Sequence, residues 1–130
     1  MAKKYFTLEE ANHLIPLMEQ ELIKLRELQG DFDDKLSHLN KLKTANESVQ
    51  TDTGSLFKME SELEFLEMQA QLHVNNIQNT GAQLKGIDPG LIDFLSVKED
   101  EEILLCWKEG EKEITHYHGE SEGFAGRKPL

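Results

Sequence analysis

A run of residues spaced alternately by four and three constrains this chain more than any other feature. Ala11, Ile15, Met18, Leu22, Leu25, Gln29, Phe32, Leu36, Leu39 and Lys43 follow that step, and eight of the ten are apolar. On an α-helix such positions share one face and form a heptad seam. Leu14, Leu28 and Leu42 widen it on one side. The spacing predicts a helix over residues 7–43. Thr7-Leu8-Glu9-Glu10 reads as its capping box, with the Thr7 hydroxyl taking the Glu10 amide and the Glu10 carboxylate reaching back. Pro16 removes a backbone donor and should bend the helix near Asn12. The seam keeps its phase through Gly30, so one bent helix is expected rather than two.

Residues 44–55 are polar and aperiodic and read as a flexible connector. A second seam follows: Leu56, Met59, Leu63, Leu66, Ala70, His73, Ile77, Thr80 and Leu84. It predicts a second helix over 56–85, closed by Gly86 and kept from resuming by Pro89. Folded antiparallel, the pair brings Lys35, Lys41 and Lys43 to the same end as Glu60, Glu62, Glu64 and Glu67. Surface ion pairs are worth only about 0–1 kcal/mol each, so they select orientation rather than supply stability. Two helices alone leave the Leu14, Leu28 and Leu42 shoulder wet, which calls for a homodimer through the seam.

Past Gly86 the pattern changes. Ile103 to Trp107 and Glu113 to His118 flank Lys108-Glu109-Gly110-Glu111, which reads as a β-hairpin, and Gly119 to Leu130 should run irregularly. The expected fold is therefore mainly α (α+β): a long antiparallel helical hairpin with a small C-terminal β-hairpin and tail over 86–130. With 130 residues, one domain is expected. The net charge of −11 argues against nucleic acid or an anionic membrane as partner. Cys106 is the single cysteine, so neither an intramolecular disulfide nor a multi-cysteine zinc site can form. No apolar run approaches the roughly 18 residues of a membrane helix, and a cytoplasmic protein is expected.

The chain opens on Tyr5-Phe6-Thr7-Leu8-Glu9-Glu10-Ala11-Asn12 and Leu14-Ile15-Pro16-Leu17. It closes on Leu104-Leu105-Cys106-Trp107, Gly110-Glu111, Ile114, Tyr117-His118 and Gly123-Phe124-Ala125-Gly126-Arg127-Lys128-Pro129-Leu130. Both ends resemble one uncharacterised prokaryotic family, domain of unknown function 2203. Where the family usually has Trp-His, this chain has Tyr117-His118. Asp88 to Phe94 looks like the family's linker. The resemblance implies no activity.

His116 and His118 alternate on a strand, which sets their side chains on one face about 7 Å apart. That spacing can place two imidazoles on a divalent metal, with Glu120 as third ligand and Glu122 or Glu101 as substitutes. The plainer reading has one histidine half-buried and the other solvated. Gly123 to Arg127, with Lys128, can form a backbone concavity for an anion. The plainer reading is a tail whose Phe124 and Leu130 plug apolar gaps. Trp107, His118, Phe124 and Arg127 are the candidates for contact with a ligand or partner.

Other singular residues read as structural. His73 on the second seam should set register or bond across the bundle, while His13 and His38 fall off the seam, and Asn75-Asn76 sits outside. Cys106 should point away from Trp107 as a small buried hydrophobe. No Ser-His-acid order and no repeated Glu-x-x-His spacing is present. Two functions remain: a non-catalytic helical-hairpin interaction or scaffolding protein acting as a homodimer, or a metal- or ligand-binding protein or small enzyme built around His116 and His118. No cofactor is called for beyond that metal.

Overall fold

The computed structural model describes residues 3–45 and 53–130. Helix α1 spans Leu8–His13 and α2 spans Ile15–Ala45, so the first helical stretch is two helices rather than one bent one. Thr7 caps α1 with both halves of the capping box, Glu10 N–H to Thr7 Oγ1 at 3.1 Å and Thr7 N–H to Glu10 Oε1 at 3.0 Å. The interruption falls at Leu14. Pro16 has no N–H for the preceding turn, yet its fixed φ suits the first turn of a new helix, so α2 starts one residue ahead of it. Gly30 lies inside α2 and does not break it.

Helix α3 spans Thr53–Gln78 and packs against α2. Residues 46–52 of the expected connector lie outside the described residues, and its two ends belong to α2 and α3. Leu22, Leu25, Leu39, Leu63 and Leu66 are buried. Two of the expected charge pairs form at the far end, Lys35–Glu62 at 3.1 Å and Lys43–Glu60 at 3.3 Å. His73 bonds across the pair as its seam position implied, with Nδ1 2.6 Å from Glu21 Oε2. Asn76, expected outside, is half-buried and donates to the same carboxylate at 3.3 Å.

The second helix stops seven residues short of its expected end. Gly81 takes φ +98°, a left-handed conformation that turns the chain out of the helix. Thr80 Oγ1 then donates to Ile77 O at 2.6 Å and accepts from Ala82 N at 3.2 Å. Leu84, expected on the second seam, is instead in strand β1 (Gln83–Ile87).

The largest departure is the sheet. In place of one small β-hairpin there are five antiparallel strands in sequence order: β1, β2 (Gly90–Lys98), β3 (Glu101–Lys108), β4 (His116–His118) and β5 (Lys128–Pro129). Of the expected pairing of 103–107 with 113–118, the part over 116–118 occurs, as β3 with β4. The stronger partner of β3 is β2, joined through Glu99 and Asp100, both at positive φ. Leu91 to Phe94, which resembled a linker, is part of the strand between β1 and β3. The tail is not wholly irregular either, since Phe124–Gly126 forms a 3-10 turn and β5 pairs with β4.

Alternation sorts β2 and β3 into two faces. Ile92, Phe94, Ile103, Leu105 and Trp107 pack on Ala11, Ile15, Met18, Leu22 and Ile77 of the helices. The N-terminal segment closes one side, where Phe6 N–H reaches Leu95 O at 2.7 Å and the Phe6 ring meets Phe94 edge-on at 5.2 Å. Arg26 of α2 ties the other side, donating to the Glu109 carboxylate and to Ile87 O at 3.3 Å. Among the described residues no helix is long and apolar enough to cross a membrane.

Two glycines test this packing in opposite directions. A methyl at Gly90 would lie 2.5 Å from Leu22 Cδ1, whereas one at Gly30 meets nothing within 4 Å. Gly90→Ala should destabilise by about 1–3 kcal/mol. Gly30→Ala should stabilise by about 0.5–1 kcal/mol. Urea melts of both variants against the parent check the pair.

Candidate functional site

The face of the sheet turned away from the helices is not a wet surface. Asp93, Leu95, Leu104, Cys106 and His118 are all buried there. The C-terminal segment lies against it: Arg127 Nη2 donates to Cys106 O at 3.1 Å, and the Phe124 ring meets the Arg127 guanidinium at 4.8 Å and Lys108 Nζ at 5.8 Å. Arg127 also binds both Glu111 oxygens, at 3.0 and 3.1 Å. Burial alone would raise the Glu111 carboxyl; the Arg127 bonds and the Lys108 N–H hold it below the usual carboxylate range.

Within this face three chemically versatile side chains converge. Asp93 and Cys106 are directly opposed across β2 and β3, and His118 sits one diagonal step away on β4. They are 3%, 1% and 2% exposed. Their potential donor atoms lie within 4.8 Å of one another, and among the described residues they are the one such group of three. His118 Nε2 is 3.1 Å from Asp93 Oδ2, and its Nδ1 is 2.7 Å from Gly119 O.

A thiol, an imidazole and a carboxylate invite comparison with a nucleophilic triad, but the geometry is wrong for one. Both ring nitrogens of His118 are engaged, one by the carboxylate and one by a carbonyl, so neither stands ready to take a thiol proton. Burial, with Asp93 beside it, pushes the Cys106 thiol up to about 11. A neutral, inaccessible thiol is a poor nucleophile.

The residues singled out in the sequence fall in different places. His118 is central to the cluster. His116 shares its face but is half-buried and bonded to Thr115 Oγ1 at 2.8 Å, and Glu120 is exposed. Trp107 is fully buried on the helical side, where its Nε1–H donates to Glu111 O at 2.9 Å, so a ligand cannot stack on it. Phe124 is 40% and Leu130 48% exposed, which is not the burial of a plug. Asp93 carries little signal of its own in the sequence, because it lies within the otherwise apolar Leu91-Ile92-Asp93-Phe94. Its signal was the alternation Leu91-Asp93-Leu95, which sets a carboxylate among residues that share one face.

A second surface was also unread. Phe57, Phe65, Met68 and Leu72 of α3 are 72%, 59%, 70% and 60% exposed. With Ser61 they fall within about 80° of arc on a helix of 3.6 residues per turn. The buried side of α3, through Met59, Leu63, Leu66, Ala70 and Ile77, is centred about 170° away. Exposed Glu60, Glu64 and Glu67 border one edge of the outward stripe.

The perturbed thiol makes a prediction with a definite sign. A group that stays protonated in the folded chain up to about 11, against an ordinary 9.0, binds more protons folded than unfolded between those values. The thiol should therefore make stability fall as pH rises from about 9 to about 11, by about 2–3 kcal/mol, and Cys106→Ala should flatten the slope, leaving what Tyr5 and Lys3, both raised by Glu102, contribute. Urea titrations across that range measure it.

No curated protein and no solved structure matches the chain. A family model described as an uncharacterized conserved protein (DUF2203) matches residues 4–130, which takes in the capped helical start, the sheet and the segment behind Cys106. The chain belongs to that family.

Proposed function

We propose that the protein is a non-catalytic interaction module whose helical hairpin receives an amphipathic helix, edged with Lys or Arg, along the outer face of α3. One observation carries the reading: α3 is apolar on two opposite sides, and only one of them is covered by α2. A helix with two apolar sides is patterned for the inside of a layer of at least three helices. The charge pattern argues for the occupant. Glu64 and Glu67, beside a Glu60 already paired with Lys43, line one edge in a chain of net charge −11, so cationic flanks on the incoming helix complement it. A second copy laid antiparallel would instead set this acidic edge against itself. The thiol, imidazole and carboxylate of the sheet play no part in this reading.

Two synthetic helical peptides with the same leucine seam, one flanked by Lys and one by Glu, test it against the full chain. The Lys peptide should bind in the micromolar range and the Glu peptide should not. The Phe65→Ser, Met68→Ser double variant, which leaves the charge unchanged, should lose about a hundredfold or more, because each buried apolar side chain contributes about 1.5–3 kcal/mol. Binding that survives in the variant would mean attraction to acidic surface alone and would defeat the proposal. So would light scattering that gives the parent chain twice its mass and the variant a single mass, since a second copy would then occupy the face.

A further inference from the structure

The interior of the sheet's outer face holds an arrangement that the interaction reading leaves unused. A carbonyl can only accept, so the 2.7 Å contact with Gly119 O puts a proton on His118 Nδ1. In the neutral ring Nε2 then carries a lone pair, and it points at a carboxylate oxygen 3.1 Å away. Two lone pairs at that distance, in a site 2–3% exposed, need something electropositive between them. That is either a proton, held by the ring or by the carboxyl, or a metal cation. Cys106 Sγ completes a group of one nitrogen, one oxygen and one sulfur donor on three neighbouring strands.

We infer that Asp93, Cys106 and His118 form a binding site for a divalent cation of the zinc class. The donor set selects the class: thiolate and imidazole suit zinc or cobalt, whereas calcium and magnesium take oxygen. Distances agree in scale. Bonds of about 2.0–2.3 Å at tetrahedral angles set donor atoms about 3.3–3.6 Å apart. The Nε2–Oδ2 separation is already near that value, and the whole group spans 4.8 Å. A backbone carbonyl on the remote ring nitrogen is the usual support of a metal-bound histidine, because it fixes the tautomer that presents Nε2. Three protein donors leave one tetrahedral position for water or a small anion. On binding, the Cys106 S–H bond breaks, a sulfur–metal bond forms, and the proton leaves to solvent, so uptake should release protons and weaken as pH falls.

Untagged protein titrated with Zn²⁺ or Co²⁺ tests the inference. One metal per chain is expected, with a thiolate-to-cobalt charge-transfer band in the near ultraviolet. Zinc at a hundredfold excess over its dissociation constant should raise the melting temperature by about 10 °C. Cys106→Ala should lose the band and the shift, while His116→Ala keeps both. The cobalt band is read on the parent chain, so the inference can fail even where a buried variant does not fold. Absence of stoichiometric metal would overturn it and leave a proton between the buried ring and carboxyl. Stoichiometric metal without the sulfur band, or equal loss in His116→Ala, would overturn this donor set.

Discussion

Two packed helices enclose no interior, and that constraint governs the rest of this fold. Each helix of α2 and α3 can shield one stripe of the other, but a side chain between them always has an open flank. The sheet removes that flank for half of the hairpin. Trp107, Phe94 and Ile92 on one face of two strands close over Met18, Leu22 and Ile77, all fully buried. Toward the other end, beyond the sheet, burial thins to Leu39, Leu63 and Leu66, and exposed apolar side chains accumulate on α3. Core and exposed apolar surface thus divide one pair of helices along its length.

A second consequence concerns the sheet itself. Strands β2 and β3 are buried on both faces, by the helices on one and by the C-terminal segment on the other. Parallel sheets meet double burial with continuous apolar runs. This antiparallel one admits Asp93 and His118 to the covered side. Isolated there, a carboxylate would be costly; its neighbours Cys106 and His118 are what make it tolerable.

Much of the architecture was legible because helical periodicity is a strong local signal. The capping box, the buried seam from Ala11 to Leu25, the Lys35 and Lys43 ion pairs and the bond of His73 across the helices all follow from spacing, while Gln29 and Leu36 of the same seam are exposed. The sheet was hidden for a physical reason. Leu84 continued the helical phase of α3, and only the left-handed turn at Gly81 decides against it. Similarly, Ile92 and Phe94 form an apolar stretch too short for periodicity to assign, so β2 was missed, and with it Asp93 as the partner of Cys106. Two of the three cluster residues, Cys106 and His118, are conspicuous in the sequence; their meeting with Asp93 is not, because it depends on strand β2.

The sheet is a meander in which every strand pairs with its neighbour in sequence. Its ladders, like the contact of α2 with α3, close over short stretches of chain and carry little loop entropy. The expensive closures join the first quarter of the sequence to the last third: the packing of β2 and β3 on Met18 and Leu22, and bonds such as Phe6 to Leu95, Asn12 to Ile114 and Arg26 to Glu109. Helical hairpin and sheet are thus each built on local contacts and joined by remote ones. In terms of search, the contacts between them are the non-local class that slows folding.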